Sequence, residues 1–143
     1  MRWARISAVL VAAGLPFWPL PPRADADAIF SPAFHACAER AQGVTASMRA
    51  CMFTEQQRLD YALDAAYRSL MAMMSNPAAR AALADSERAW MLHRQSQCAF
   101  EGTQQAEGSL RPMLVSGCWL RETAQRLAEL EQRRAFESRW RER

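Results

Sequence analysis

The chain is 143 residues long and 50% apolar, with 18 basic and 15 acidic side chains and a net charge of +3. All 18 are arginine; lysine is absent. This balance excludes a disordered or collagen-like chain, the length fits one domain, and no apolar run reaches the ~18 residues of a membrane-spanning helix.

The N-terminus has the layout of a secretory signal peptide. Arg2 and Arg5 form a positive region, and Ile6 to Leu20 is apolar but broken by Gly14, Pro16 and Pro19. Ala24-Asp25-Ala26 and Ala26-Asp27-Ala28 are small-x-small cleavage sites, so residues 1–26 read as the leader and 27–143 as the exported domain, with cleavage after Ala26 or Ala28. The apolar stretch is short for a membrane anchor. A lipoprotein is disfavoured because the first cysteine, Cys37, lies well past it and follows His35 where a small lipobox residue would stand. Losing Arg2, Arg5, Arg23 and Asp25 leaves a net charge near +1. That charge and the expected export argue against a nucleic-acid partner, which needs a clustered basic face. The Arg133–Arg143 cluster is interleaved with Glu137 and Glu142 and reads as a solvated helix end.

Three segments carry helical periodicity, and no strand alternation competes with them. The first runs over about 45–75, with Met52, Leu59, Leu63, Ala66, Leu70 and Met73 on one face, Thr45 as its cap and Asn76-Pro77 as its stop. The second runs over about 77–100. Its stripe Ala79, Leu83, Ser86, Trp90, His93 and Gln97 is polar at the ends, so its core contact centres on Leu83 and Trp90. The third runs over about 112–139 through Leu120, Thr123, Leu127 and Leu130. The short turn at Asn76-Pro77 predicts that the first two helices are antiparallel neighbours. The connection Glu101–Arg111, of about ten residues, is long for a helix–helix link. The expected fold is all-α: a disulfide-stapled three-helix up-down-up bundle.

That topology gathers Cys51, Cys98 and Cys118 at one end, and the segment carrying Cys37 can fold back over it. Two disulfides follow from an oxidising compartment. Three pairings are open; the preferred one is Cys37–Cys98 with Cys51–Cys118, each closing a long loop worth ~4 kcal/mol. Metal binding and redox catalysis are disfavoured, since there is no C-x-x-C and neither His35 nor His93 has ligand-like spacing to the cysteines.

Catalytic signatures are missing. No G-x-S-x-G, P-loop, dinucleotide fingerprint, H-E-x-x-H or haem motif occurs. His93 has no nucleophile to pair with. Asp60 and Asp64, one turn apart, lack the Glu-x-x-His partners of metal bundles. Met71, Met73 and Met74 offer soft copper ligands but read better as core filler. The expectation is a protein that is not an enzyme and uses no cofactor or metal.

Several residues recur in a recognisable order: Cys37, Met48 and Cys51; Leu59-Asp60, Leu63 and Tyr67-x-x-Leu70; Arg88-Ala89-Trp90, Arg94 and Cys98; then Gly108-Ser109, Pro112, Cys118, Thr123 and Arg126-x-x-x-Leu130. Together they resemble the lysozyme inhibitor LprI-like N-terminal domain family of small exported bacterial helical domains, over about residues 35–131. The chain departs from the family pattern at His93-Arg94-Gln95, where members often read aromatic-Arg-Asp. It departs again at Glu107-Gly108-Ser109, where they often read Gly-Gly-Ser. The resemblance implies a periplasmic or secreted protein with lysozyme as its protein partner and no stable membrane insertion. Lysozyme-type glycosidases work with two carboxylates in a cleft. The loop 101–112 is the expected binding element, with Ser109 donating to a carboxylate, Arg111 pairing with one, and Glu107 and Arg94 beside them. The competing reading of Gly108-Ser109 is a turn that caps the third helix. The alternative function is a non-catalytic envelope structural or stress-related module with no lysozyme contact.

Overall fold

The structure, a computed structural model, describes residues 30–103, 108 and 110–141. The expected leader and the loop residues Glu107 and Ser109 lie outside the described residues. Four helices follow in order: α1 (Pro32–Ala41), α2 (Thr45–Met73), α3 (Pro77–Thr103) and α4 (Leu110–Arg141). The described residues are all-helical as expected, but the three-helix count is corrected to four.

The extra helix, α1, has local causes. Ser31 is its N-cap, the Ser31 hydroxyl accepts from the Phe34 N–H at 3.0 Å, and Pro32 supplies a preset first turn. Gln42 and Gly43, at φ 46° and 79°, end it with two left-handed residues. Thr45, expected to cap the next helix, is already helical; Val44 is the cap and makes no side-chain bond. α3 begins on a better signal, since Asn76 Oδ1 accepts the Ala78 N–H at 2.9 Å and Pro77 starts the helix.

α4 packs closely against both α2 and α3, and α1 packs on α2. Helix directions follow from the pairs that meet. Gln56 meets Thr123, and the Arg141 guanidinium donates to the Met73 carbonyl at the end of α2, so α2 and α4 run parallel. Arg94 meets Thr123 and Glu87 meets Arg126, so α3 runs antiparallel to α4. α2 and α3 are antiparallel, as expected, and meet at Arg94 and Asp60, but each packs mainly on α4 rather than on the other. The reason lies in α3, which contributes only Leu83 to the buried apolar cluster. The cluster otherwise comes from Leu59, Leu63, Ala66 and Leu70 of α2 and Leu120, Ala124, Leu127 and Leu130 of α4. Each fully buried leucine of this set contributes about 1.5–3 kcal/mol. Met71, Met74 and Trp90 pack against the cluster from its margin, as do Phe30 and Phe34. Among the described residues, no helix is long and apolar enough to cross a membrane.

Candidate functional site: the disulfide-bonded end

Both disulfides lie where the N-terminal parts of α2 and α4 meet the end of α3. Cys37 is bonded to Cys51, and Cys98 to Cys118. All four cysteines are bonded as expected, but the pairing Cys37–Cys98 with Cys51–Cys118 is corrected. Sharing one end of the bundle does not choose partners; the helix pairs that touch do. α1 folds back along α2 and brings Cys37 over Cys51, while α3 and α4 bring Cys98 over Cys118. The loops span sequence separations of 14 and 20, each worth about 3 kcal/mol on the chain-entropy model.

α1 is also held by a buried carboxylate. Glu55 accepts the Ser31 N–H at 2.8 Å and the Ser31 hydroxyl at 2.7 Å, and Arg58 donates to it at 2.6 Å. Burial alone would raise the Glu55 pKa, but the bonds from Arg58 and Ser31 together outweigh it and hold the carboxyl below its ordinary value.

On the opposite flank α3 approaches α4 closely at Gly102. A methyl group there would sit 2.7 Å from Val115 Cγ2 and 3.7 Å from Arg111 Nε, so glycine is what lets the helices meet. Gly102, read in the sequence as part of the loop, is instead buried in the last turn of α3. Next to it Arg121 donates to both oxygens of Glu101, at 2.9 and 2.6 Å. That bond holds the Glu101 carboxyl below its ordinary value against a smaller opposing effect of burial.

Arg94 is placed differently from the sequence expectation. Its guanidinium carbon lies 4.5 Å from the ring centre of Trp90 and 4.2 Å from that of Trp119, and its side chain is 12% exposed. Nη1 donates to the Thr123 hydroxyl at 2.8 Å and lies 3.5 Å from Asp60. Burial pulls its pKa below the ordinary arginine value, with Asp60, Glu87 and Glu122 pulling the other way. Gln56 joins the cluster, donating to Asp60 at 2.8 Å and to Thr123 at 3.0 Å. The Thr123 hydroxyl donates in turn to the Trp119 carbonyl at 2.7 Å. Two buried atoms of this cluster, Gln56 Oε1 and Arg94 Nε, have no hydrogen-bond partner among the described residues. The local spacing Trp90-x-x-x-Arg94 was visible in the sequence and Thr123 read as a core-facing residue of the third helix; Trp119 and Gln56, and the contact of all three with Arg94, were missed because they arrive from other helices.

Arg111 stands apart. It is exposed on the first turn of α4 and makes no ion pair or hydrogen bond among the described residues. Of the expected binding set, then, Arg111 is at the surface of this end, Arg94 is between two tryptophans, and Ser109 and Glu107 lie outside the described residues.

Other candidate groups do not assemble a reactive site. His93 Nε2 lies 3.9 Å from Glu122 and is largely exposed. Asp64 pairs with Arg68, whereas Asp60 turns to Gln56 and Arg94, so the two aspartates are tied to different partners. Among the described residues no three His, Cys, Asp or Glu side chains converge as metal ligands would.

Residues 37–130, from the first cysteine to the end of the leucine core, match the family described as lysozyme inhibitor LprI. The chain belongs to that family. The LprI match takes in both disulfides, the arginine–tryptophan cluster and Arg111, and it stops before the last turns of α4. An uncharacterized protein of Rhizobium meliloti is 45% identical over 51 residues, covering 36% of this chain and 37% of that protein. The chain thus aligns with little more than a third of that relative. No solved structure matches the chain.

Proposed function

We propose that this LprI-family protein is an exported, non-catalytic inhibitor that covers a lysozyme's catalytic cleft with its disulfide-bonded end. Two disulfides suit an oxidising compartment outside the cytoplasm. The observation that carries the reading is the contrast among arginines at that end. Arg58 is committed to Glu55 and Arg121 to Glu101, while Arg111, like Arg40 and Arg49, is exposed and makes no ion pair among the described residues; of these three, Arg111 is the one that adjoins the α3–α4 loop, on the helix that Cys118 ties to α3. A guanidinium held out on a rigid element is suited to a carboxylate of the cleft, and bidentate pairs of that kind are strong and directional. Ser109 and Glu107 belong to the same loop and complete the contact in this reading. Arg94 acts as a positioning residue, locking α3 against α4 so that the loop leaves both helices at a fixed angle.

A cell-wall lysis assay with c-type and g-type lysozymes tests this. Inhibition is expected from the purified protein, and Arg111→Ala should weaken it about tenfold, the effect of losing one charge-assisted bond. Arg80→Ala, at the far end of the molecule, should leave potency unchanged. Full lysis with both enzymes would refute the inhibitor reading and leave an envelope interaction module without lysozyme contact.

A further inference from the structure

The opposite end of the molecule carries a second surface, which extends past residue 130, where the family match stops. A groove of about 730 Å³ runs between the start of α3 and the last turns of α4, walled by Ala79, Ala82 and Phe136 and floored by Leu83 and Leu130. Phe136 is 57% exposed and Trp140, one turn further on, 67%. Two large aromatic side chains left in water on one helix end mark an interaction surface. The charges around them say what kind. Arg133 and Glu137 both line the groove, and neither has an ion pair among the described residues. They are four residues apart on α4, but with arginine on the N-terminal side, the less favourable order for pairing within a helix.

We infer that this face binds a second copy of the same chain, α4 against α4 in antiparallel fashion about a two-fold axis. In that arrangement Arg133 of each copy lies opposite Glu137 of the other, and both unpaired charges find partners. The same register sets Trp140 opposite Leu130, the floor of the groove. A two-fold interface must be complementary to itself, and one unpaired charge of each sign, one turn apart beside exposed aromatics, meets that condition. A partner of single charge sign would leave one of the two unmatched.

Sedimentation equilibrium of the purified, disulfide-bonded protein across the micromolar range decides the matter. A reversible monomer–dimer equilibrium is expected. Trp140→Ala should raise the dissociation constant about tenfold or more, as for an interface anchor. Arg133→Glu and Glu137→Arg should each weaken the dimer, and the double variant should restore it, because the swap regenerates both cross-pairs. Arg133 and Trp140 are exposed and Glu137 is half-buried, and a circular dichroism melt verifies that each variant folds. A monomer at every concentration, a mass that grows past two copies, or a double variant no better than the singles would overturn the proposal.

Discussion

Along α2, α4 meets leucine and alanine; along α3, it meets tryptophan, arginine and carboxylates. The first seam is a stripe of Leu59, Leu63, Ala66 and Leu70 against Leu120, Ala124, Leu127 and Leu130. The second is a ladder of directed contacts. Cys98 is bonded to Cys118, Arg94 stacks between Trp90 and Trp119, and Arg126 donates to Glu87 and Ser86 at 3.0 Å each. Apolar burial is strong but non-directional. Polar ladders are costly to desolvate but admit one register. The difference teaches that stability and geometry are divided between the two sides of α4: the α2 side holds the fold together, and the α3 side fixes the register of α3 on α4.

The largest expected effect is on the apolar side. Leu59→Ala, at a fully buried position, should cost about 2–5 kcal/mol, read from the denaturant midpoint. A loss below that range would mean that the α2 seam is not the main source of stability. Next comes the double substitution Cys98→Ala with Cys118→Ala, expected to cost about 3 kcal/mol. Hydrogen exchange should then speed up in α3 while the α2 amides stay protected; uniform loss of protection would contradict the division. Thr123→Val removes the oxygen that accepts from Arg94 and Gln56 and should cost about 1–3 kcal/mol through the unpaired donors. It should also weaken lysozyme inhibition, although Thr123 is buried and touches no partner. Unchanged inhibition in the folded variant would remove the positioning role of this cluster.

The smallest effect is a pH dependence. The Glu55 carboxyl is held below its ordinary value in the folded protein, so its contribution is present above that ordinary value. It is lost as pH falls through the lowered, folded value. Glu55→Gln should therefore flatten the acid limb of the stability curve and loosen α1. An acid limb of unchanged steepness would show that the carboxylate does not anchor α1.

Most of the helical architecture was legible because long periodic segments declare themselves. The face Leu59, Leu63, Ala66 and Leu70 is the buried face of α2, and Pro77 opens α3 as expected. α1 escaped notice because its apolar stripe, Phe34, Cys37 and Ala41, is too short to declare a period over ten residues; a cap, a disulfide and the Glu55 carboxylate also hold it. The disulfide pairing and the place of α3 escaped for a common reason. Both depend on which helices touch, and the polar face of α3 gave no apolar pattern from which to read that. Arg94 entered the binding set because it lies at the cysteine-rich end, where the chain departs from the family pattern. The ring that completes its burial, Trp119, lies on another helix.

Each disulfide joins cysteines that are consecutive along the chain, Cys37 with Cys51 and Cys98 with Cys118. A polypeptide delivered N-terminus first into an oxidising space thus presents its native partners in order of arrival. On the export route proposed above, Cys37 meets Cys51 before either later thiol has emerged. Oxidation in order of appearance yields the correct pairs with no reshuffling, so the disulfide-bonded protein should be recovered in cells that lack a disulfide isomerase.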